Sequence, residues 1–533
     1  MWVAKRCESL AATRHYYIVC GRQCTNRQLR GWNSCIDSYA ELFKARVNSE
    51  RELFGLRIGL RRVMRLKTTN QVWRLESMPS ILTICPYDLS SGRLAILRIV
   101  VVSQYWAPEN GVPQRRWTWL TEQLKREGHQ VLVIAPPPHY ARKMSLTSWA
   151  RKVLTDSHNV ETGPSGERIL RCFYLPAGHS LTMRAMSQAV AATSSLLAFL
   201  TKRGELKSFG ADVVIGTVPA LPTAVVAMLG AKSLKLPYVI DLRDAWPDLL
   251  SEVDKWNKGL GRKSLRERVL RKGPLQLISF VTSKVIDYSL NHAAALIVTS
   301  GLYALEMRRR LEANGVATIP VTVIRNVFPV KSEIAARSGR ELDFANPEGG
   351  AKPKTLKVLY AGTLGRAQGL ENAILAAEKA AMLGVEVDLR LIGAGAARAE
   401  LEELARRSHA NVSILDRKPA DELGALYNWA DTLLVHLSDW KGLEYAVPSK
   451  TFEFFEIGKH ITGAVRGEAA YLIEHLEAGD VVEPGNPEDL ASLWRELVDN
   501  PSKLQISNKA QSWLKNEREI NTCNKLFALL ESL

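Results

Sequence analysis

Residues 442–473 read GLEYAVPSKTFEFFEIGKHITGAVRGEAAYLI, and the rest of the chain is organised around them. The apolar run at 432–437 just upstream reads as a buried strand. Pro448 and Ser449 then open a short helix, with Ser449 the candidate N-cap. Gly458 closes that helix, 461–465 reads as the next strand, and Gly467-Glu468 opens a second helix. Two helix N-termini therefore stand beside strands within a short span. Each offers free N–H groups and the positive end of a helix dipole, which suits a phosphate. Glu453 lies one turn inside the first helix, where a carboxylate can accept two hydrogen bonds from a sugar diol. Phosphate on the amides with ribose on the carboxylate is a nucleotide pocket. The alternative is an ordinary α/β segment in which Glu453 caps a local group.

Upstream, strand and helix patterns alternate. A strand at 356–361 leads into Gly362-Thr363-Leu364-Gly365-Arg366-Ala367-Gln368-Gly369 and a helix to Leu383. The next strand, 388–392, ends in Gly393-Ala394-Gly395, but Arg398 stands at the third glycine position of a dinucleotide fingerprint. That fingerprint is incomplete, which disfavours a dehydrogenase. A strand at 412–415 and a helix at 419–429 follow. Beyond the opening stretch, 480–483 is a last strand. Asn486-Pro487-Glu488-Asp489 is a helix start with an Asn cap, Pro at the first position and acids in the first turn. Residues 509–533 read as a final helix.

The first half carries the same alternation. Residues 97–105 are a continuous β run, and 113–127 a helix with Trp117, Leu120 and Leu124 on one face. Gly128-His129 ends it and 130–135 is the next strand, a βαβ unit. Gly111, in the loop between, either lets the backbone approach a ligand at the carboxyl ends of the strands or makes a plain tight turn. Residues 212–217, 223–232 and 238–242 repeat the unit and end in DLRDAWPD at 241–248. Arg243 and Asp244 either pair with each other or face a cleft. Strands at 294–299 and 321–326 flank a helix at 302–311, and 331–355 is a linker by composition. Two βα sets on one linker predict an α/β protein of two doubly wound, Rossmann-like domains facing a cleft.

The chain has 533 residues, 46% hydrophobic and 24% charged, in the range of soluble globular proteins. Its apolar stretches at 187–200 and 213–229 are too short or too interrupted by Pro to span a bilayer. The formal charge of +16 suits nucleic acid, an anionic membrane surface or phosphorylated substrates. Residues 1–96 hold sixteen Lys/Arg against seven Asp/Glu, and five of the seven cysteines. Cys20 and Cys24 lack a second Cys/His pair at zinc spacing, so no metal site is expected. At Leu97 the character changes to a strand, so Leu97 is expected to mark the functional start, with 1–96 an upstream basic, Cys-rich extension. Cys172 and Cys523 stand far apart and fit a reducing compartment. Two stretches mix basic with bulky apolar residues. One is a long loop at 136–166, with a short helix at 146–153, where Arg142, Lys143, Arg151 and Lys152 meet Met144, Leu146 and Trp149. The other is the basic run 255–272 before an apolar helix at 275–294. Both suit an anionic membrane surface or a solvated face. The Ala/Leu/Met-rich helix at 182–202 has little polar face, so it is either core or membrane-facing.

From Leu97 to about Asn500 the chain resembles the family 4 glycosyltransferases of the GT-B fold, nearest to the bacterial group that builds capsule, O-antigen and exopolysaccharide. The marks, in order, are QYWAPENG at 104–111, GHQV at 128–131, DLRDAWPD at 241–248, YAGTLGRAQGL at 360–370, LIGAG at 391–395 and VPSKTFEF at 447–454. The resemblance implies retaining transfer of a sugar from a nucleotide diphosphate, most often UDP, to a lipid-linked glycan acceptor. It implies a cytoplasmic protein, peripheral on the inner membrane face, needing no metal or other cofactor and no nucleic acid. It implies an acceptor domain at 97–335, a linker at 336–355, a donor domain at 356–510, and a C-terminal helix at 511–533 that crosses back to the first domain.

By position, Glu453 would hold the ribose. Pro448, Ser449 and Lys450 would line the diphosphate. Gly111, Gly362, Gly365 and Gly393 would border the donor. The chain also departs from the pattern: Glu444 is out of register for the first Glu of the family's pair, and Thr363 and Gln368 replace an Arg and a Lys of the glycine loop. Charge for the leaving group would then come from Arg366, Lys450 or Arg243, with Asp244 beside it as a catalytic candidate. A UDP-sugar epimerase of the same fold and a non-catalytic nucleotide-sugar-binding partner are the alternatives.

Overall fold

The structure, a computed structural model, describes residues 96–109, 111–138, 160–175, 181–218, 220–245, 274–330 and 355–533. The zinc-spacing and start-site readings at 1–95, the helix expected at 146–153, the basic run at 255–272 and most of the linker lie outside the described residues.

The first lobe runs β1 (Arg98–Val102), α1 (Val112–Arg126), β2 (Gln130–Ala135), β3 (Val160–Thr162), β4 (Arg168–Arg171), α2 (Leu181–Thr201), α3 (Arg203–Phe209), β5 (Val213–Val218), α4 (Pro222–Leu234), β6 (Tyr238–Leu242), α5 (Pro274–Asn291), β7 (Ala295–Val298), α6 (Gly301–Ala313) and β8 (Val321–Val323). Its sheet has the order β3-β4-β2-β1-β5-β6-β7-β8, parallel except for β3. In the centre, Ile99, Val100 and Val101 are fully buried. Strands with helices on both faces read as unbroken apolar runs, and each such side chain contributes about 1.5–3 kcal/mol by leaving water. β3 corrects the long-loop reading of 136–166: Val160–Thr162 is an exposed antiparallel edge, and its V-E-T carries no apolar run.

The second lobe runs β9 (Thr355–Thr363), α7 (Glu371–Met382), β10 (Glu386–Ala394), α8 (Arg398–Arg407), β11 (Val412–Leu415), α9 (Ala420–Trp429), β12 (Thr432–His436), α10 (Ser449–Ile457), β13 (Ile461–Ala464), α11 (Gly467–His475), β14 (Gly479–Val482) and α12 (Pro487–Asp499). Its parallel sheet has the order β11-β10-β9-β12-β13-β14. Sequence order reverses between β9 and β12, and between β1 and β5 in the first sheet. Ligands of open α/β sheets lie at such reversals, outside the carboxyl ends of the strands.

The expected last helix is present and unbroken, as α13 (Lys509–Asn516) and α14 (Thr522–Glu531) with a π turn at Glu517–Asn521 between them. This segment packs on the first lobe. Arg518 Nε donates to the Val327 carbonyl at 2.6 Å, Glu517 lies 3.6 Å from Arg325, and the Phe527 ring sits 6.0 Å from His129. The lobes also meet directly. The Glu468 carboxylate, at the start of α11, accepts from Leu302 N–H at 2.6 Å and pairs with Arg325. Ser300 Oγ donates to the Tyr445 carbonyl at 2.6 Å. No helix among the described residues is long and apolar enough to cross a membrane.

Candidate functional site

After β12 the chain makes a 3₁₀ turn at Lys441–Tyr445 and enters α10. Pro448, with φ −55°, occupies the cap position and no side chain caps the helix. This corrects the expectation for Ser449, which is the first helical residue. From inside the helix its hydroxyl cannot reach back to the first-turn amides. Gly458 closes α10 in the left-handed conformation. The second helix start is put to a different use: at α11, Glu468 takes first-lobe groups, and Gly467 at φ +65° lies against the Glu444 carbonyl.

Glu453 is 6% exposed. Its Oε1 accepts from the Tyr427 hydroxyl at 2.6 Å and from Lys450 Nζ at 2.8 Å, and Lys450 also donates to Tyr427 Oη at 3.0 Å. Burial, and then the negative charge of Glu453, hold the Tyr427 phenol well above its usual range, so it stays a donor. Arg115 of α1 reaches this group from the first lobe. It donates to the Pro329 carbonyl at 2.9 Å and lies 4.6 Å from the Phe328 ring. Burial lowers its pKa, while Glu453, Tyr427 and Glu456 of the second lobe act to raise it. Tyr427 and Arg115 were not singled out from sequence; for Arg115 the one available signal was its place one turn after Gly111.

The glycine loop after β9 is pinned to the loop after β12. Ser438 Oγ donates to the Arg366 carbonyl at 2.7 Å, and Ser438 N–H to Ala367 at 2.9 Å. His436 Nδ1 lies 2.7 Å from the Gln368 carbonyl, and Nε2 lies 3.0 Å from Asn372 Nδ2. Burial lowers the His436 pKa to about 4, so the ring is neutral. Nδ1 therefore carries the proton and Nε2 accepts. Arg366 lies 3.9 Å from Glu400 of α8.

The glycines divide. A Cβ on Gly393 would stand 1.8 Å from the carbonyl of Gly362, its register partner on β9, so packing between the two strands accounts for that glycine without a ligand. A Cβ on Gly362, Gly365 or Gly111 would stand 2.9, 2.6 or 2.6 Å from side-chain atoms of Tyr360, Gln368 and Gln114 respectively.

In the first lobe, Asp241 at the end of β6 is fully buried and fully engaged. Arg116 Nη2 donates to Oδ1 at 3.0 Å, while Arg116 Nε at 3.4 Å and Trp117 Nε1 at 2.8 Å donate to Oδ2. Arg243, two residues on, is 7% exposed, and its Nε and Nη1 have no hydrogen-bond partner. Burial, then the neighbouring Arg116, lower its pKa to about 10 against the pull of Asp241 and Asp244. Among the described residues no ion pair joins Arg243 to Asp244, although the charge of each acts on the other, and burial raises the Asp244 pKa.

Residues 343–519 match the family model described as glycosyl transferases group 1, and 111–326 match the glycosyl transferase 4-like domain. The chain is 24% identical over 426 residues to WcaI of Escherichia coli (strain K12), provisionally named a colanic acid biosynthesis glycosyl transferase; the match covers 78% of this chain and 95% of that one. Among solved structures, sucrose-phosphate synthase from Thermosynechococcus elongatus matches with TM-score 0.57 and 14% identity, over 82% of this chain and 99% of that chain. Anabaena Alr3699/HepE in complex with UDP matches with TM-score 0.50 and 16% identity, over 82% and 100%. At these identities the structural likeness is one of fold.

Proposed function

Because the chain belongs to the family 4 glycosyltransferases of the GT-B fold, we propose that it moves a sugar, with retention of configuration, from a uridine diphosphate sugar to a lipid-linked saccharide during surface polysaccharide synthesis. One observation carries the reading: the Lys450–Glu453–Tyr427 group stands behind an α10 N-terminus that no side chain caps. In the reading, the first-turn amides of α10 take the diphosphate and the Glu453 carboxylate takes the ribose diol. An ammonium has three donors. Glu453 and Tyr427 use two, and the third is left for a phosphate oxygen. Arg366 adds a second cation at the mouth of the glycine loop. Together with the helix dipole, these cations perform the charge neutralisation that a divalent ion performs elsewhere, preorganised where the leaving group develops charge. WcaI is named for colanic acid biosynthesis, and HepE is solved with UDP and with UDP-glucose, which agrees with the substrate class proposed.

The acceptor side of the reading rests on the first lobe. The outward faces of α2 and α5 expose Met186, Leu197, Leu200, Val281, Val285 and Tyr288. Lys232 of α4 lies 5.3 Å from the Tyr288 ring, and Lys202, Lys235 and Lys284 are part- or fully exposed nearby in the fold. Apolar side chains among cations suit a bilayer surface with anionic headgroups. α2 and α5 begin at the carboxyl edge of their sheet, so such a surface would run up to the mouth of the site. We propose that the protein works peripherally on the cytoplasmic membrane face.

The test is transfer from a panel of radiolabelled UDP- and GDP-sugars to membrane fractions, with EDTA present. The reading expects label from a UDP-sugar in the lipid-extractable fraction. Donor consumption without membranes would instead indicate an epimerase, and nucleotide binding without turnover a non-catalytic partner.

A further inference from the structure

Three buried polar groups near the carboxyl edge of the first sheet have no partner: Arg243 Nε and Nη1, Gln114 Oε1 and Thr217 Oγ1. They are 7%, 4% and 0% exposed. An unpaired buried polar group costs about 1–3 kcal/mol, and more if charged, so three in one region call for an explanation.

The fold brings them to one place. Thr217 of β5 is the register partner of Asp241 in β6, so their side chains point to the same face of the sheet. Arg243 is one residue past the end of β6 and close enough to Arg116 and Asp241 for both charges to act on it; continuing the strand spacing from Asp241 puts it on that face about 6.6 Å nearer the carboxyl edge. On the helix above, Trp117 Nε1 touches Asp241 at 2.8 Å. Gln114 is three residues earlier, about 4.5 Å towards the same edge. Gln114 and Arg243 thus stand at a similar height above the Trp117–Asp241 contact. The Gln114 amide orientation is set by Nε2, which donates to Glu109 at 3.2 Å and leaves Oε1 as the unmet acceptor. Gly111 leaves that oxygen its space, since a Cβ there would lie 2.6 Å from it.

Asp241 and Asp244 set two carboxylates against two guanidinium groups, but only Arg116 is hydrogen-bonded to one of them. Asp241 is held by Arg116 and Trp117. Arg116 Nη1 is spent on the Ile324 and Arg325 carbonyls and Asn326 Oδ1. The second guanidinium, Arg243, is left buried beside the first without a hydrogen-bonded anion.

We infer that Arg243, Gln114 and Thr217 form an oxyanion pocket of the first lobe, distinct from the donor site, that takes a phosphate bearing a neighbouring hydroxyl. Arg243 binds the phosphate oxygens, Gln114 Oε1 accepts from the hydroxyl, and Thr217 serves either. On the proposed function above, the natural occupant is the phosphorylated end of the acceptor. This assigns Arg243 to the acceptor side and not to the donor diphosphate.

The probe is inorganic pyrophosphate, titrated calorimetrically into the full chain already saturated with UDP. Wild type is expected to take up pyrophosphate under these conditions. Arg243→Gln should bind it at least about tenfold more weakly, as for one lost charge-assisted hydrogen bond, with UDP affinity within about twofold of wild type. Arg243→Lys should recover part of the binding. Thr217→Val, which keeps shape and removes only the hydroxyl, should weaken it by about threefold or more and serves if Arg243→Gln fails to fold. The pocket is refuted if UDP-saturated wild type takes up no pyrophosphate, or if the folded variants bind it like wild type. It is equally refuted if Arg243→Gln weakens UDP instead, which returns Arg243 to the donor. None of these results depends on sugar transfer, so failure of the pocket and failure of the transferase reading are distinguishable.

Discussion

Replacing Glu453 by Gln separates the binding role of this side chain from its structural one. Gln keeps an acceptor for the Tyr427 hydroxyl, now 2.6 Å from Oε1. It loses the negative charge that faces Lys450 and that would receive the ribose diol. The Lys450 side chain is 31% exposed, so solvent screens the pair and its loss should cost the fold no more than about 1 kcal/mol. Binding should suffer more. Two hydroxyl-to-carboxylate bonds, each worth about 1.5–3 kcal/mol, become at most one neutral bond worth about 0.5–1.5 kcal/mol. The net loss of about 1.5–5.5 kcal/mol corresponds to a fall in affinity of about tenfold at the least and about ten-thousandfold at the most. Calorimetric titration of UDP into wild type and variant, with urea unfolding of both, reads the two effects apart. UDP affinity within twofold of wild type, together with a large drop in unfolding free energy, would make Glu453 a purely internal partner and refute the reasoning.

Further outcomes follow from the same geometry. Lys450→Ala and Arg366→Ala should each lower turnover with the sugar donor by about tenfold or more, the scale of a few kcal/mol of lost charge stabilisation; if neither changes kcat in a quenched transfer assay, the leaving group is neutralised by other groups. Glu468→Gln removes the anion shared by Arg325 and the Leu302 amide. It should lower unfolding free energy by about 2–4 kcal/mol, slightly under the cost of breaking a fully buried pair, read by urea titration. His436 titrates at about 4 when folded, below its ordinary 6.5, because it is buried. Between those values the unfolded chain takes up the proton first. The contribution of His436 is therefore whole above pH 6.5 and is lost as pH falls towards 4, by about 3 kcal/mol in all. His436→Asn should flatten the acid limb of a stability-versus-pH curve, and an unchanged slope would place that loss elsewhere.

Much of the fold was legible because parallel strands covered on both faces are continuous apolar runs. Val100–Val102, 213–215 and 432–435 announce themselves, and Asn486 caps α12 with its side chain as its sequence predicts. The pieces that escaped lack such local signals. The edge strand Val160–Thr162 buries nothing. Ser449 lost the cap position to Pro448, a matter of one residue of phase. At the site, Lys450 and Glu453 share a helix and their pairing could be read from an i,i+3 spacing, but Tyr427 lies on another helix. Glu468 meets Leu302 across 166 residues, a distance at which helix phase in one lobe says nothing about the other. Gly393 illustrates the converse: a glycine at a strand end suggests a ligand, and here it accommodates a carbonyl of the adjacent strand.

The central claim, that a nucleotide diphosphate is held between the first turn of α10 and Glu453, is tested most directly by a crystal structure of the protein with UDP. The account predicts ribose hydroxyls within hydrogen-bond distance of the Glu453 carboxylate and phosphate oxygens on the amides of Ser449 and Lys450, with Lys450 Nζ contacting the diphosphate. UDP bound elsewhere, with Glu453 still closed on Tyr427 and Lys450 alone, would contradict it.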